Sequence, residues 1–262
     1  MDPRIDRRLR AAASRSPGRL AALATCAVLL AGPIGAGAVP TTASTTGLTR
    51  SQTVASAAAR AGWTSTNWSG YAITAGPYTR ATSTWKVPTV APSATPTYSS
   101  SWVGIDGFDN GSLIQVGTEQ DYTGGSAHYS AWWEILPAAG TTITTLAIHP
   151  GDTMVATIAR NSTGATWTIS LADRTTGRTF STVRTYSGPG ASAEWIQEAP
   201  RVGTRIATLA RTSLTTFVGT ANGHDLRLSA ANRGTMIQNG MPVSTPTTQD
   251  RRTHAFSVRY TN

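Results

Sequence analysis

The sequence is nearly free of cysteine, with Cys26 the only one among 262 residues. Cys26 lies in an apolar run near the N-terminus, so the chain beyond it can form no internal disulfide bond and perform no thiolate chemistry. No later stretch approaches the about 20 apolar residues that a membrane-spanning helix requires, so we expect no membrane association once that N-terminal region is removed. A packed core must stabilise the fold, and roughly 200 residues suffice to bury one.

Motifs of several common functional classes are also absent. The sequence contains no His-Glu-x-x-His, and its four histidines are widely separated, so we predict no metal and no cofactor. It contains no Gly-x-Ser-x-Gly, which argues against a serine hydrolase. The formal charge is +9, yet the arginines are scattered and form no basic stripe with interleaved aromatics. We therefore predict no nucleic-acid partner.

The N-terminal region has the pattern of an export signal. Residues 1–38 contain six arginines, then an apolar run over 20–32, then Ala36-Gly37-Ala38 as a cleavage site, which predicts a signal peptide and a secreted, extracellular protein. Removing it takes away those six arginines and two aspartates, leaving 22 − 6 = 16 basic and 13 − 2 = 11 acidic residues, or +5. Residues 39–62 are rich in Thr, Ala and Ser and lack aromatics, so we interpret them as a linker or short propeptide.

From residue 63 to 262 the composition is typical of a single β domain. Tryptophans, β-branched residues, glycines and prolines occur in short blocks spaced roughly 8 to 12 residues apart, which favours a sandwich of antiparallel sheets. Turn sequences such as Asp109-Asn110-Gly111 and Gly124-Gly125 separate several of the blocks. Strands are predicted at 68–75, 80–87, 98–106, 112–119, 128–136, 153–160, 166–173, 179–186, 192–198, 212–221 and 254–260.

Alternation of side chains along these strands places an unusual set of residues on one sheet surface. Val103 and Ile105 share one face of their strand, and Ile114 and Val116 share one face of theirs, so the intervening residues point the opposite way. If the strands are neighbours, the residues on that opposite surface are Trp102, Asp106, Gln115, Trp132, Glu134 and Glu198. Aromatic rings beside carboxylates and an amide are typical of the floor of a substrate groove.

The same residues carry a resemblance to a known family, the glutamic peptidases or eqolisins (peptidase family G1), which are acid endopeptidases. The similarity covers nearly the whole of 63–262, and no single block is diagnostic, but the order and spacing of the blocks are. The matching blocks are Asn67-Trp68-Ser69-Gly70, Trp102-Val103-Gly104-Ile105-Asp106-Gly107, Leu113-Ile114-Gln115-Val116-Gly117, Ala131-Trp132-Trp133-Glu134, Gly151-Asp152 and Ala193-Glu194-Trp195-Ile196-Gln197-Glu198.

The resemblance implies a concanavalin-like β-sandwich of two antiparallel sheets of about seven strands, with the active site on the concave face of one. It implies a catalytic pair of Gln115 and Glu198 that activates water without a covalent intermediate. Trp68, Trp102, Asp106 and Glu134 match groove-lining residues, and Glu119 matches a common acidic position; the face analysis adds Trp132 to these substrate-binding candidates. We accordingly expect polypeptide substrates and a monomeric enzyme.

Two features depart from the fungal members of that family, and two other functions stay open. The region after the leader is basic and free of cysteine, and Ala199 follows Glu198 where an acid is common. A β-sandwich glycoside hydrolase could use Glu134 with Glu198, because Glu194 and Glu198 on one strand are roughly 13 Å apart, beyond the about 5 to 9.5 Å that glycosidases use. A non-catalytic carbohydrate-binding module would need only the tryptophans.

Overall fold

The computed structural model describes residues 48–49, 54–58, 62–162 and 164–261. The predicted signal peptide lies outside the described residues, and of the predicted linker the structure describes only 48–49, 54–58 and residue 62. The described residues contain 20 strands and one short 3-10 helix, Ala230–Asn232. The strands are β1 (Leu48–Thr49), β2 (Val54–Ala58), β3 (Gly62–Ser65), β4 (Trp68–Thr74), β5 (Arg80–Lys86), β6 (Ser100–Ile105), β7 (Ile114–Thr123), β8 (Ser126–Ile135), β9 (Thr141–Thr142), β10 (Thr153–Arg160), β11 (Thr166–Asp173), β12 (Arg178–Thr185), β13 (Ser192–Glu198), β14 (Arg201–Val202), β15 (Arg205–Ile206), β16 (Thr215–Ala221), β17 (His224–Asp225), β18 (Arg233–Gln238), β19 (Met241–Pro246) and β20 (Ala255–Tyr260).

The long strands form two halves of seven strands each. In the front half the hydrogen-bonded order is β3, β18, β4, β13, β6, β7, β8. In the back half it is β12, β11, β10, β5, β16, β20, β19. The β18–β19 hairpin joins the halves, and nearly all pairs are antiparallel, β3 with β18 being parallel. The predicted all-β sandwich with two sheets of about seven strands is confirmed.

The main core lies between the two halves. From the front half it takes Val103, Ile105, Ile114 and Val116, which are fully buried, and from the back half it takes side chains such as Met154. The alternation that sends these residues into the core sends their neighbours along β6 and β7 to the outer face of the front half. That outer face carries a second cluster of buried apolar residues, and it is where the site lies.

Most predicted strands agree with the observed ones to within three residues. The pattern of the sequence did not predict the two-residue strands, β2 within the predicted linker, β3, or the β18–β19 hairpin. Its turn is Asn239-Gly240, and both residues have positive φ, 51° and 77°. These angles are those of a two-residue hairpin turn, for which Asn-Gly is the strongest sequence indicator. The flanking strands contain few strongly apolar residues, so alternation alone did not reveal them. Among the described residues, no helix has the length and apolar character needed to cross a membrane.

Candidate active site

All four glutamates of the chain are buried on the outer face of the front half. Glu134, Glu194 and Glu198 have no exposed surface, and Glu119 is 5% exposed. A glutamate is seldom buried unless it is paired or hydrogen-bonded, because taking a carboxylate out of water is costly. Glutamates that only keep a protein soluble lie on its exposed surface. Four buried glutamates on one face therefore indicate a functional site there.

The strand register orders these residues in three parallel rows across the sheet. The pairings between neighbouring strands define the members of each row. The rows are Ala72, Glu194, Gly104, Gln115 and Glu134; then Gly70, Ile196, Trp102, Gly117 and Trp132; then Trp68, Glu198, Ser100, Glu119 and Ser130. Gln115 and Glu198 therefore share a face but stand in different rows, displaced by four residues, or roughly 13 Å along the strands.

Glu198, at the end of β13, is bonded to two neutral donors. The indole nitrogen of Trp102 donates to its Oε2 at 2.8 Å, and the amide of Asn67 donates to its Oε1 at 3.3 Å. Hydrogen bonds donated to a carboxylate stabilise its ionised form. The two donors also fix the direction of the carboxylate, since each oxygen is bonded to a different strand or loop.

Gln115, on β7, is oriented by its neighbour in the same row. Its Nε2 donates to Oε2 of Glu134 at 2.6 Å, while its Oε1 has no hydrogen-bond partner among the described residues. An amide that donates on one side must present its carbonyl oxygen on the other. The sequence prediction that Gln115 and Glu134 share a face thus corresponds to a direct contact between them.

Trp102 connects the first and third rows. Besides its bond to Glu198, its six-membered ring packs over Gly104, where an added Cβ would lie 2.8 Å from ring atom Cζ3. Trp68 packs edge-on against it, with ring centroids 4.8 Å apart and planes at 75°. Trp68, Trp102 and Trp132 all belong to the second apolar cluster. The predicted tryptophans are brought together on this face.

Asp106 lies at the end of this face, where its carboxylate is bonded to a loop. The residue has φ of 67°, and it follows β6 directly. Its oxygens accept hydrogen bonds from the Tyr186 hydroxyl, the backbone N–H groups of Gly190 and Ala191, and the amide of Asn110, at 2.7 to 3.1 Å. Asp106 thus anchors residues 186–191 to the end of β6.

The structure adds two residues that were not among the predicted site residues. Asn67 precedes Trp68 within a block that was recognised, but its bond to Glu198 is visible only in three dimensions. Alternation along β13 places Glu194 on the outer face, and the strand register shows that only Gly104 lies between it and Gln115. Burial raises the pKa of Glu194 well above its ordinary 4.5, and the charges of Asp106 and Asp109 raise it further.

Aromatic residues and the loop after β6 cover part of this face. Trp63 and Phe108 meet edge to face with ring centroids 5.3 Å apart, and both belong to or pack against the second apolar cluster. A separate surface cavity of about 790 Å³, lined by His224 and His254 among others, contains none of the predicted site residues. In the part of the chain described, no three His, Cys, Asp or Glu side chains are grouped so as to hold a metal ion.

Comparison with known proteins gives matches in sequence and in fold. The sequence model of the Peptidase A4 family matches residues 66–260. Aspergillopepsin-2 of Aspergillus niger is 26% identical over 179 residues, an alignment that spans 58% of this chain and 62% of that relative, which is less than two thirds of its length.

Solved structures share the fold. Scytalido-glutamic peptidase, crystallised with a transition-state analogue inhibitor, superposes with a TM-score of 0.64 at 22% identity, covering 75% of this chain and 98% of the other. Aspergilloglutamic peptidase from Aspergillus niger gives a TM-score of 0.55 at 24% identity, covering 63% and 99%. The resemblance stated from the sequence is thereby confirmed: this chain belongs to the Peptidase A4 family.

Proposed function

We propose that this protein is a secreted endopeptidase that hydrolyses peptide bonds in acid solution with Gln115 and Glu198. The observation that carries the proposal is the pair of hydrogen bonds that Trp102 and Asn67 donate to a fully buried Glu198 carboxylate, on the same face as Gln115. They favour an ionised carboxylate whose lone pairs can accept a proton from water. Family membership and the peptidases among its structural relatives favour a peptide as the substrate.

In this mechanism the carboxylate of Glu198 removes a proton from water as the water oxygen bonds to the scissile carbonyl carbon. The electron pair of the carbonyl bond moves to its oxygen, where the N–H of Gln115 that is not bonded to Glu134 stabilises the negative charge. The intermediate then collapses, the C–N bond breaks, and Glu198 returns its proton to the departing nitrogen. In the register Trp102 lies between Gln115 and Glu198, on the strand and in the row that separate theirs.

The residues around Gln115 and Glu198 have supporting roles in this mechanism. Glu134 orients the amide of Gln115, Trp102 positions Glu198, and Trp68 and Trp132 pack beside them in the second apolar cluster. Glu119, which lies across Ser100 from Glu198, adds a second acid at that end of the groove.

The glycosidase alternative is less favoured by the register. Glu134 and Glu198 are three strands and four residues apart, so their backbones are separated by roughly 13 Å along the strands and roughly 14 Å across them. Glycosidases require a carboxyl separation of about 5 to 9.5 Å, and in this structure Glu134 is already bonded to the amide of Gln115.

The test compares cleavage of a denatured protein by the wild type, Glu198→Gln and Gln115→Ala from acid to neutral pH. Removal of the base should lower kcat about 10²- to 10⁴-fold, and removal of the amide about 10²- to 10³-fold. Gln120→Ala is the matched control, because Gln120 is also buried on β7 but faces the opposite way. Activity in Glu198→Gln equal to that of the wild type would refute the proposed pair.

A further inference from the structure

Gln197 is a polar residue in the core between the two halves, on the strand that carries Glu198. It directly precedes Glu198, so its side chain points to the opposite face of β13, where Ala193 and Trp195 belong to the main core. Only 3% of Gln197 is exposed, and its Nε2 has no hydrogen-bond partner among the described residues. Burying an amide in this way is costly, so its place in the core requires an explanation.

The amide oxygen of Gln197 connects β13 to strands of both halves. Its Oε1 accepts a hydrogen bond from the Ser101 hydroxyl on β6 at 2.8 Å and a second from the Thr215 hydroxyl on β16 at 3.2 Å. Ser101 and Thr215 have no exposed surface. One bond therefore runs sideways within the front half, and the other crosses the core to the back half.

The bond between Gln197 and Ser101 lies on the other side of the sheet from the contact that orients Glu198. Gln197 and Ser101 are opposite each other in the register. The next residue on each strand is Glu198 and Trp102, and these two are joined on the outer face by the indole N–H at 2.8 Å. The bond on the inner face thus holds β13 against β6 at the position where Trp102 must reach Glu198.

Gln197 also distinguishes the observed register of β13 and β6 from its nearest alternatives. A displacement by two residues keeps every side chain on its own face, so the apolar alternation does not oppose it. In one direction the amide of Gln197 would face Val103, which has no donor. In the other it would face Ser99, whose hydroxyl is already bonded to the backbone oxygen of Gln120. Only the observed register places the Ser101 hydroxyl opposite the amide, and specifying a register is the best-attested use of a buried polar group.

We propose that Gln197 is a positioning residue of the active site, whose bonds to Ser101 and Thr215 hold the end of β13 where Trp102 can donate to Glu198. Gln197 itself makes no contact with the reacting atoms, because its side chain lies on the other side of the sheet. The inference rests on the proposed peptidase function, with Glu198 as the base. Loss of these bonds slows the chemical step and leaves the binding of the peptide unchanged.

The test is turnover of a denatured protein by Gln197→Leu, which keeps the approximate volume of the side chain but removes the acceptor. We expect kcat to fall about 10- to 100-fold with KM little changed, because a misplacement of about 1 Å can cost about 10²-fold in rate. Gln120→Leu is the matched control. Gln120 is also buried in the core, on β7, and donates to Thr118 at 2.6 Å, so its loss should lower stability similarly but leave kcat unchanged.

Two further measurements separate positioning from general stabilisation of the fold. Ser101→Ala should lower kcat in the wild type but cause no further loss in Gln197→Leu, because both changes remove the same bond. In NMR spectra the indole N–H signal of Trp102, assigned from its loss in Trp102→Phe, should shift in Gln197→Leu and stay in place in Gln120→Leu.

Wild-type kcat in Gln197→Leu, or equal losses of kcat in Gln197→Leu and Gln120→Leu, would overturn the inference. If Gln197→Leu does not fold, Ser101→Ala and Thr215→Val decide, since each removes one small donor to Gln197. Wild-type kcat in both would then refute the role. Glu198→Gln, assayed in parallel, separates the two proposals: activity in that variant refutes the catalytic pair, whereas full kcat in Gln197→Leu beside an inactive Glu198→Gln refutes only the positioning.

Discussion

The buried Glu194 should make the stability of this protein depend on pH in a way that one substitution removes. Its pKa is raised in the folded state, so between its ordinary value of 4.5 and the raised value the folded protein holds one more proton than the unfolded chain. The stabilisation from this proton is complete below the ordinary pKa and is lost as pH rises toward the folded pKa. Each pH unit in that window lowers the free energy of unfolding by about 1.4 kcal/mol.

Glu194→Gln removes this dependence, because glutamine does not titrate. The unfolding free energy of the variant minus that of the wild type should therefore rise by about 1.4 kcal/mol per pH unit above about pH 4.5, and level off beyond the folded pKa. Any fixed cost of placing an amide in this position shifts the whole curve without changing its slope. Urea unfolding of both proteins at several pH values measures the difference.

Asp173 provides a control of opposite sign. Burial raises the pKa of its carboxyl group, but hydrogen bonds from Thr176 and Thr175 outweigh that effect and the pKa is lowered. Its contribution is present above its ordinary value of 3.8 and is lost as pH falls, so Asp173→Asn should differ from the wild type in pH dependence only in strong acid. A difference between Glu194→Gln and the wild type that stays constant from acid to neutral pH would refute the raised pKa of Glu194.

Three further substitutions test contacts described above. Trp102→Phe removes the N–H that bonds Glu198, a loss of about 1.5 to 3 kcal/mol that should lower kcat/KM about 10- to 100-fold; unchanged turnover would contradict this. Gly104→Ala places a methyl group 2.8 Å from the Trp102 ring, so urea unfolding should show a loss of about 1 to 3 kcal/mol, and full stability would show that the ring moves freely. Asp106→Ala leaves four donors, the N–H of Gly190 among them, without their acceptor, and calorimetry should show a loss of about 3 to 5 kcal/mol; a loss below about 1 kcal/mol would contradict its role as an anchor.

The sequence was sufficient to place side chains on faces but not in rows. Alternation along one strand is a local property, so the shared face of Gln115, Glu134 and Glu198 could be read directly from the numbering. The row that each occupies depends on how β13 is inserted between β4 and β6, strands that are distant in the chain. For that reason the four-residue displacement between Gln115 and Glu198 could not be predicted.

Asp106 shows a second limit of the pattern. Its position two residues after Gly104 predicted a place on the groove face, but its φ of 67° ends the strand there and turns the chain. A non-glycine residue adopts this conformation only when surrounding contacts hold it, here the hydrogen bonds from residues 186–191 and Asn110. Three of the four contacts come from residues 80 to 85 positions further along the chain, and no local pattern predicts them.

The concentration of carboxylates inside the molecule has a consequence for its surface. All acidic residues except Asp2 and Asp6 lie in the described part of the chain, and of these eleven only Asp109, Asp225 and Asp250 are exposed. Acidification usually unfolds proteins by protonating carboxylates and leaving the positive charges to repel one another. Here the positive charge is already present at neutral pH and few surface carboxylates remain to be neutralised. Apart from the histidines, of which His128, His149 and His224 are exposed, acidification therefore changes few charges on the surface.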